Sequence, residues 1–166
     1  MQNAEQLLDT ILELHPGHPH YLSLATSVYI WKSIFDGNHR PEYLVRAEQY
    51  ALSAFSLRPT WSNSLTTLAK IDYYLGKNPS SWLALSEQFG NQETETYLTH
   101  VEVGFGAWDS LDSKRKSATI NYLLRGAEHS RIRNLYVPII NNSPRKADIC
   151  RYLVVTGRNV KVPCDD

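Results

Sequence analysis

Cysteine is scarce in this chain of 166 residues, which has only Cys150 and Cys164, both close to the end of the sequence. Two thiols by themselves cannot supply the four ligands of a structural zinc site. In a reducing compartment the pair would remain free thiols, whereas an oxidising compartment would allow a disulfide that closes a short loop. The sequence alone leaves both alternatives open.

Long apolar runs are also missing from the sequence. No segment approaches the ~18 consecutive apolar residues that a membrane-spanning helix needs. The start of the chain lacks the basic and apolar regions of a secretory signal, and it contains Glu5, Asp9 and Glu13. The sequence as given therefore predicts a soluble chain, and a chain from which an anchor or signal had been removed would look the same.

Catalytic motifs are absent as well: the sequence has no G-x-S-x-G elbow, no H-E-x-x-H and no G-K-[S/T] phosphate loop. The acidic residues are dispersed, so Glu87 or Glu102 would act in catalysis only if a cleft raised its pKa. The sequence therefore predicts a protein that is not an enzyme and holds no cofactor.

Three histidines, His15, His18 and His20, have a spacing that can bind zinc or nickel. Prolines stiffen the same stretch, and no cysteine lies near it in the sequence. We therefore interpret the stretch as an exposed loop before a helix, and we predict no metal site.

Charge is balanced overall but unevenly distributed. Residues 1–110 carry 6 basic and 12 acidic residues, and residues 111–166 carry 11 basic and 5 acidic residues. Part of the basic set is a candidate interaction face for lipid phosphates or an anionic glycan, and the alternative is ordinary solvated charge. This candidate face comprises Lys114, Arg115, Arg125, Arg131, Arg133 and Arg145. Nucleic acid is not a predicted partner, because the net charge is zero and no binding motif is present.

Helical periodicity dominates the rest of the sequence. Proline, glycine and polar caps divide it into short helices, which we expect to pack as antiparallel neighbours. The predicted boundaries are a first helix ending before residue 15, then 19–35, 41–57, 61–75, 79–90, a helix capped by Asn91, 111–128 with Ser110 as its cap, a short or kinked 132–140, and 144–156.

Residues 47–76 resemble a repeat of the tetratricopeptide (TPR) type, in which small residues allow close helix contact and a proline ends the helix. The positions that match are Ala47, Ala51, Ala54, Pro59, Leu68, Ala69 and Gly76. We predict an all-α fold of about 8–9 helices in a right-handed TPR-like stack. This stack would form a single domain over residues 1–166, with an irregular tail over 157–166. The alternative is an unrelated helical bundle.

Glycine and tryptophan positions complete this prediction. Gly104 and Gly106 lie in a helical pattern, so we expect them to permit a close helix crossing or a kink beside Trp108. The tryptophans are expected mainly at helix junctions, and one or two of them can line a groove for a peptide or a sugar. They are Trp31, Trp61, Trp82 and Trp108.

A more particular resemblance covers roughly residues 20–164 and rests on scattered positions. The pattern consists of Ala51-x2-Ala54-x2-Leu57-Arg58-Pro59-Thr60-Trp61, Leu68-Ala69-Lys70, Phe89-Gly90, Gly104-x3-Trp108-x2-Leu111 and Ile149-Cys150-Arg151. It resembles the VpsP-like accessory proteins of bacterial exopolysaccharide biosynthesis. The resemblance implies a helical protein on the periplasmic side of the inner membrane that supports polysaccharide synthesis or export by contacting other proteins. It also implies an N-terminal anchor, which this sequence does not contain.

The leading hypothesis is therefore a non-catalytic scaffold that binds a protein partner, in the periplasm and in support of biofilm-matrix polysaccharide biosynthesis. One alternative is a cytoplasmic TPR adaptor that binds a peptide tail. A third is a carbohydrate-processing enzyme on a helical fold, which would require a cleft with two close carboxylates.

Overall fold

Short helices joined by tight turns make up the described part of the chain. The structure, a computed structural model, describes residues 2–157 and residue 164. Within these residues there is no strand, so the all-α prediction is confirmed. The nine α-helices there are α1 Gln2–Leu14, α2 Pro19–Phe35, α3 Arg40–Leu57, α4 Ser62–Tyr74, α5 Ser80–Gly90, α6 Thr94–Gly106, α7 Ser113–Glu128, α8 Ser130–Asn142 and α9 Lys146–Val155, with short 3-10 helices at Gly37–His39 and Trp108–Ser110. The predicted irregular tail lies outside the described residues, except for its first residue and Cys164.

Several helix boundaries differ from the sequence prediction because of local hydrogen bonding. Asn91 ends α5 instead of capping α6, whose cap residue is Glu93, and α9 begins at Lys146 rather than at residue 144. Ser110 does not cap α7, since it belongs to the preceding 3-10 helix, and the carboxylate of Asp112 accepts the Arg115 amide at 2.7 Å instead. α8 extends two residues beyond each predicted end although Pro138 lies inside it. The Asn142 side chain donates to the Pro138 carbonyl at 2.9 Å, which satisfies one acceptor in the last turn.

Contacts between alternate helices arrange much of the chain in two layers. α4 contacts α6 and α6 contacts α8, while α5 contacts α7 and α7 contacts α9. Sequential neighbours also pack together, most extensively α2 against α3. Stacked helical hairpins produce this pattern of contacts. Assignment of the stack to the TPR type stays a prediction.

The small residues of the predicted repeat lie where helices meet. Ala47, Ala51 and Ala54 on α3 and Leu68 and Ala69 on α4 are all buried. The other two repeat residues are in the turns: Pro59 is exposed, and Gly76 has a φ of 70°. Such a positive φ favours glycine, because a side chain would be strained there.

Three groups of buried side chains form the core. One unites α1–α4 around Tyr29 and Leu68. A second, smaller group joins α4 to the segments that follow it, around Leu83 and Val103. The third unites α6–α9, and it contains Tyr97, Phe105, Tyr122 and Tyr136. The second group thus lies between the two larger ones in the fold.

Glycines in α6 permit two close helix approaches, as the sequence predicted. A Cβ atom added to Gly104 would lie 2.2 Å from the Thr119 hydroxyl on α7. One added to Gly106 would lie 2.5 Å from Cζ of Tyr73 on α4. Real Cβ atoms do not come so close to other atoms, so α6 needs glycine at both positions to contact α4 and α7 as it does.

Candidate functional site

Two neighbouring cavities lie along α4, α6 and α8, and together they are called the groove. Their volumes are about 340 and 350 Å³, and they share Tyr73 in their walls. One lies toward α4 and the 3-10 helix and is lined by Tyr73, Gly76, Lys77, Asn78, Gly106, Ala107, Asp109 and Ser110. The other reaches α8 and is lined by Tyr73, Tyr74, Glu102, Pro138, Ile139, Asn142, Ser143 and Pro144.

Two adjacent tyrosines at the end of α4 provide the aromatic surface of this groove. The ring centroids of Tyr73 and Tyr74 are 5.5 Å apart, and both side chains are half-buried. Tyr73 reaches α6 because Gly106 leaves room for its ring. Tyr74 is held by its hydroxyl, which donates to the Glu102 carboxylate at 2.7 Å. Their positions are therefore fixed by α6 rather than by α4 alone.

An ion-pair network fixes the carboxylates beside the groove. Lys70 Nζ lies 2.6 Å from Glu95 Oε1 and 3.6 Å from Glu102 Oε2. Burial alone would lower the pKa of Lys70, but the charges of Glu102 and Glu95 outweigh that effect and raise it. Burial also raises the pKa of Tyr74, and the nearby Glu102 charge adds to the shift. Glu102 thus has two partners that hold it, a lysine and a tyrosine hydroxyl.

The other acidic candidate, Glu87, is engaged with one of the predicted basic residues. Arg115 Nη1 lies 2.6 Å from Glu87 Oε2, and the Arg115 side chain is 6% exposed. Arg115 is therefore not part of an exposed basic face, which corrects the sequence prediction. The physical reason is that a buried guanidinium needs a carboxylate partner, and α5 supplies it across the interface with α7.

A buried histidine lies close to this pair. His100 is fully buried, stacks on Tyr122 with ring centroids 4.1 Å apart, and has its Nε2 3.4 Å from the Ser86 hydroxyl. Its Nδ1 has no hydrogen-bond partner among the described residues. Burial, with a smaller contribution from the Arg115 charge, lowers the pKa of His100 to about 3. His100 is therefore a neutral core residue at ordinary pH.

The remaining basic candidates are divided between two helices and the loop before α9. Arg145 binds Asp109 at 2.6 Å and Asp148 at 3.0 Å, and its guanidinium lies 5.9 Å from the Trp108 ring. Lys114 and Arg125 are exposed on α7, about three turns apart. Arg131 is exposed and Arg133 half-buried, both on α8. Two of the six predicted residues are thus occupied by carboxylates.

The histidines of the predicted loop surround a tyrosine. The rings of His15, His18 and His20 have centroids 5.6, 4.5 and 6.4 Å from that of Tyr21. In the part of the chain that the structure describes, no group of three or more His, Cys, Asp or Glu side chains is placed to hold a metal ion.

Tryptophans occupy different environments. Trp61, Trp82 and Trp108 are half-buried, and Trp82 contacts Phe55 of α3 edge-on at 5.3 Å. Trp31 is 50% exposed and contacts Phe35, one turn further along α2, at 4.7 Å. None of the four lines the two cavities of the groove.

A disulfide joins Cys150 of α9 to Cys164, with their Cα atoms 5.5 Å apart. Both residues are partly buried against the core group of α6–α9. The bond therefore ties residue 164 to the last helix.

Sequence reasoning did not find Tyr73 and Tyr74 as site residues. A signal was present, since two adjacent tyrosines precede the turn glycine Gly76. Adjacent residues point to different sides of a helix, so a tyrosine pair is not by itself a site. Only the approach of α6 and α8 to the end of α4 brings both into one groove.

Comparison with known protein families, with curated proteins and with solved structures finds no significant match to this chain. The likeness to VpsP-like accessory proteins stays a prediction. None of the helices within residues 2–157 combines the length and the apolar character that a span across a membrane requires.

Proposed function

We propose that the protein is a non-catalytic scaffold that binds a segment of a partner protein in the groove along α4, α6 and α8. The observation that carries this proposal is the presence of two neighbouring cavities that share Tyr73 as a wall residue. Each has a volume in the lower part of the usual range for binding pockets, about 300–1,000 Å³. Tyrosine rings are favourable contacts for a partner because they bury a large area at a low entropic cost.

The chemistry of the groove favours binding over catalysis. Its acids, Glu102 and Asp109, are paired with Lys70 and Arg145 respectively. These ion pairs occupy carboxylate oxygens that a general acid or base would have to offer to a substrate. Polar atoms in the wall, including the Asn142 amide, can give orientation to a bound segment.

The wider role that we propose is support of bacterial exopolysaccharide biosynthesis or export on the periplasmic side of the inner membrane. It rests on the resemblance to VpsP-like proteins. The disulfide between Cys150 and Cys164 supports an oxidising location, since cytosolic proteins rarely keep such bonds. The partner would then be a component of the polysaccharide machinery.

Site-specific photocrosslinking in producing cells tests the binding proposal. A photoreactive phenylalanine analogue replaces Tyr73 in the groove, and in a matched control it replaces Tyr21, a half-buried tyrosine on α2. We expect one discrete adduct from position 73 and none from position 21. The additional change Asn142→Arg should abolish the adduct by blocking the groove. Equal adducts from both positions would argue against a groove-specific partner.

Location and pathway need a separate measurement. Thiol trapping with an alkylating agent at the moment of lysis should find no reactive thiol in the protein. The crosslinked partner should be identified as a component of the envelope polysaccharide machinery. Two reactive thiols together with a peptide-tail partner would instead support the cytoplasmic adaptor.

A further inference from the structure

A third cavity lies away from the groove, where α6 and α8 begin. Its volume is about 260 Å³, and its walls are formed by Gln92, Thr94, Tyr97, His129, Arg131 and Ile132. These residues include an arginine, a histidine and three further side chains that can donate a hydrogen bond, and none is a carboxylate. The groove, in contrast, has Glu102 and Asp109 in its walls. The composition of this third cavity therefore suits a ligand that accepts hydrogen bonds and carries negative charge.

Tyr97 is the buried polar residue of this cavity. It is 1% exposed, and its ring is held edge-on against Tyr122 at 5.0 Å and against His129 at 6.5 Å. Its hydroxyl makes no hydrogen bond among residues 2–157 and is not one of the fully buried polar atoms that lack a partner, so water can reach it. Side chains on a helix lean toward its N-terminus, which here is the side of Thr94 and Gln92. The hydroxyl is therefore a donor that a ligand in the cavity can satisfy.

Positive charge surrounds the same cavity. Arg131 lines it, and this guanidinium is in none of the ion pairs given for the described residues. Arg125 lies 5.6 Å from the Tyr97 ring. The first turn of α8 adds free backbone amides, because the first intrahelical bond is from the Arg133 amide to the His129 carbonyl. Glu93, Glu95 and Glu128 are each next in sequence to a lining residue, and they are the nearby charges that oppose an anion.

We propose that this cavity binds a small oxyanion, a phosphate group or the carboxylate of an acidic sugar. Arg131 supplies the charge, and the Tyr97 hydroxyl supplies a fixed hydrogen bond from the cavity wall. Charge-assisted hydrogen bonds of this kind are the stronger ones in proteins. The volume is below the usual ~300 Å³ minimum for pockets that enclose a whole small molecule, so the site fits an ionic group rather than a sugar chain. This proposal does not depend on the groove.

Titration followed by NMR of the labelled protein tests the proposal, with inorganic phosphate, glucuronate and neutral glucose as probes at constant ionic strength. We expect saturable shifts of the Thr94, Tyr97 and Arg131 amides with phosphate, with glucuronate or with both, and none with glucose. The probe that binds more tightly distinguishes a phosphate from a carboxylate ligand. No saturable shift with either anion up to ~20 mM would overturn the proposal, because sites built from several charge-assisted bonds bind more tightly than that.

Matched variants distinguish a site that depends on particular lining residues from general attraction of anions to positive charge. Arg131→Gln should weaken binding about tenfold, whereas Arg133→Gln, with the same loss of charge two residues away, should change it less than about twofold. Tyr97→Phe should weaken it several-fold while leaving the ring in place, and Glu93→Gln should strengthen it. Equal weakening by Arg131→Gln and Arg133→Gln would overturn the proposal. The groove variant Asn142→Arg should leave anion binding unchanged.

Discussion

Aromatic side chains are exposed near the N-terminal end of the described chain and buried near its C-terminal end. On α2, Trp31 is 50% and Phe35 65% exposed, whereas Phe105 and Tyr136 in the core group of α6–α9 are fully buried. Tyr29 on α2 is a buried aromatic residue, but its neighbours Trp31 and Phe35 contribute little to the core. Stability that derives from aromatic burial is therefore expected mainly in α6–α9. The apolar surface of α2 is expected to matter little for folding.

The largest expected effect is that of Tyr136→Ala. This residue fills the space between α7 and α8, and its hydroxyl donates to the Tyr122 carbonyl at 2.9 Å. Removal of a large buried ring leaves a cavity and is expected to lower the free energy of unfolding by about 4 kcal/mol. Tyr136→Phe keeps the ring and should cost only about 1 kcal/mol. Urea denaturation measures both, and a loss below about 1 kcal/mol for Tyr136→Ala would contradict the comparison.

Loss of the disulfide is expected to have the next largest effect, again confined to one end. A loop of this size closed by a disulfide stabilises a fold by about 3 kcal/mol in the chain-entropy model. Reduction, or the double change Cys150→Ser and Cys164→Ser, should therefore lower the melting temperature and increase hydrogen exchange in α9. Exchange in α2 and α3 should stay nearly constant. The double variant should not respond to reductant, which provides the control.

Local features of the fold were predictable because they depend on residues near one another in the sequence. Pro19 and the turn after Phe35 give the bounds of α2 as predicted, and the alanines of α3 are buried. The site was less predictable because it depends on distant residues. Arg115 looked like surface charge, and only the packing of α5 against α7 shows that Glu87 binds it. Tyr73 likewise enters the groove only because Gly106 lies opposite it.

Acid should destabilise the α6–α9 part of the molecule through His100, which lies on α6. Its pKa is about 3 in the folded chain and about 6.5 when unfolded, so between these values the unfolded state binds the extra proton. This contribution to stability is complete above about pH 6.5 and is lost progressively as the pH falls. Arg115, paired with Glu87, and the Tyr122 ring face the imidazole, and neither offers it a free carboxylate.

The measurement is the free energy of unfolding of wild type and His100→Phe between pH 8 and pH 5. The phenylalanine keeps a ring against Tyr122 but does not titrate. From pH 7 to 5.5 the wild type should lose about 1 kcal/mol more than the variant. The difference between the two proteins should be independent of pH above about 7. Parallel curves over the whole range would show that His100 does not control acid sensitivity.

The smallest expected effect, that of Trp31→Ser, is the sharpest test of the comparison. Half of the Trp31 surface is already exposed to water, and its aromatic contact is with Phe35, which is more exposed still. Substitutions at such positions usually change stability by no more than about 0.5 kcal/mol. We therefore expect the free energy of unfolding of Trp31→Ser to stay within about 0.5 kcal/mol of wild type, with Trp82→Ser as the costly control because Trp82 packs against Phe55. A loss of 2 kcal/mol or more at position 31 would mean that the α2 surface stabilises the fold, and the contrast between the two ends would fail.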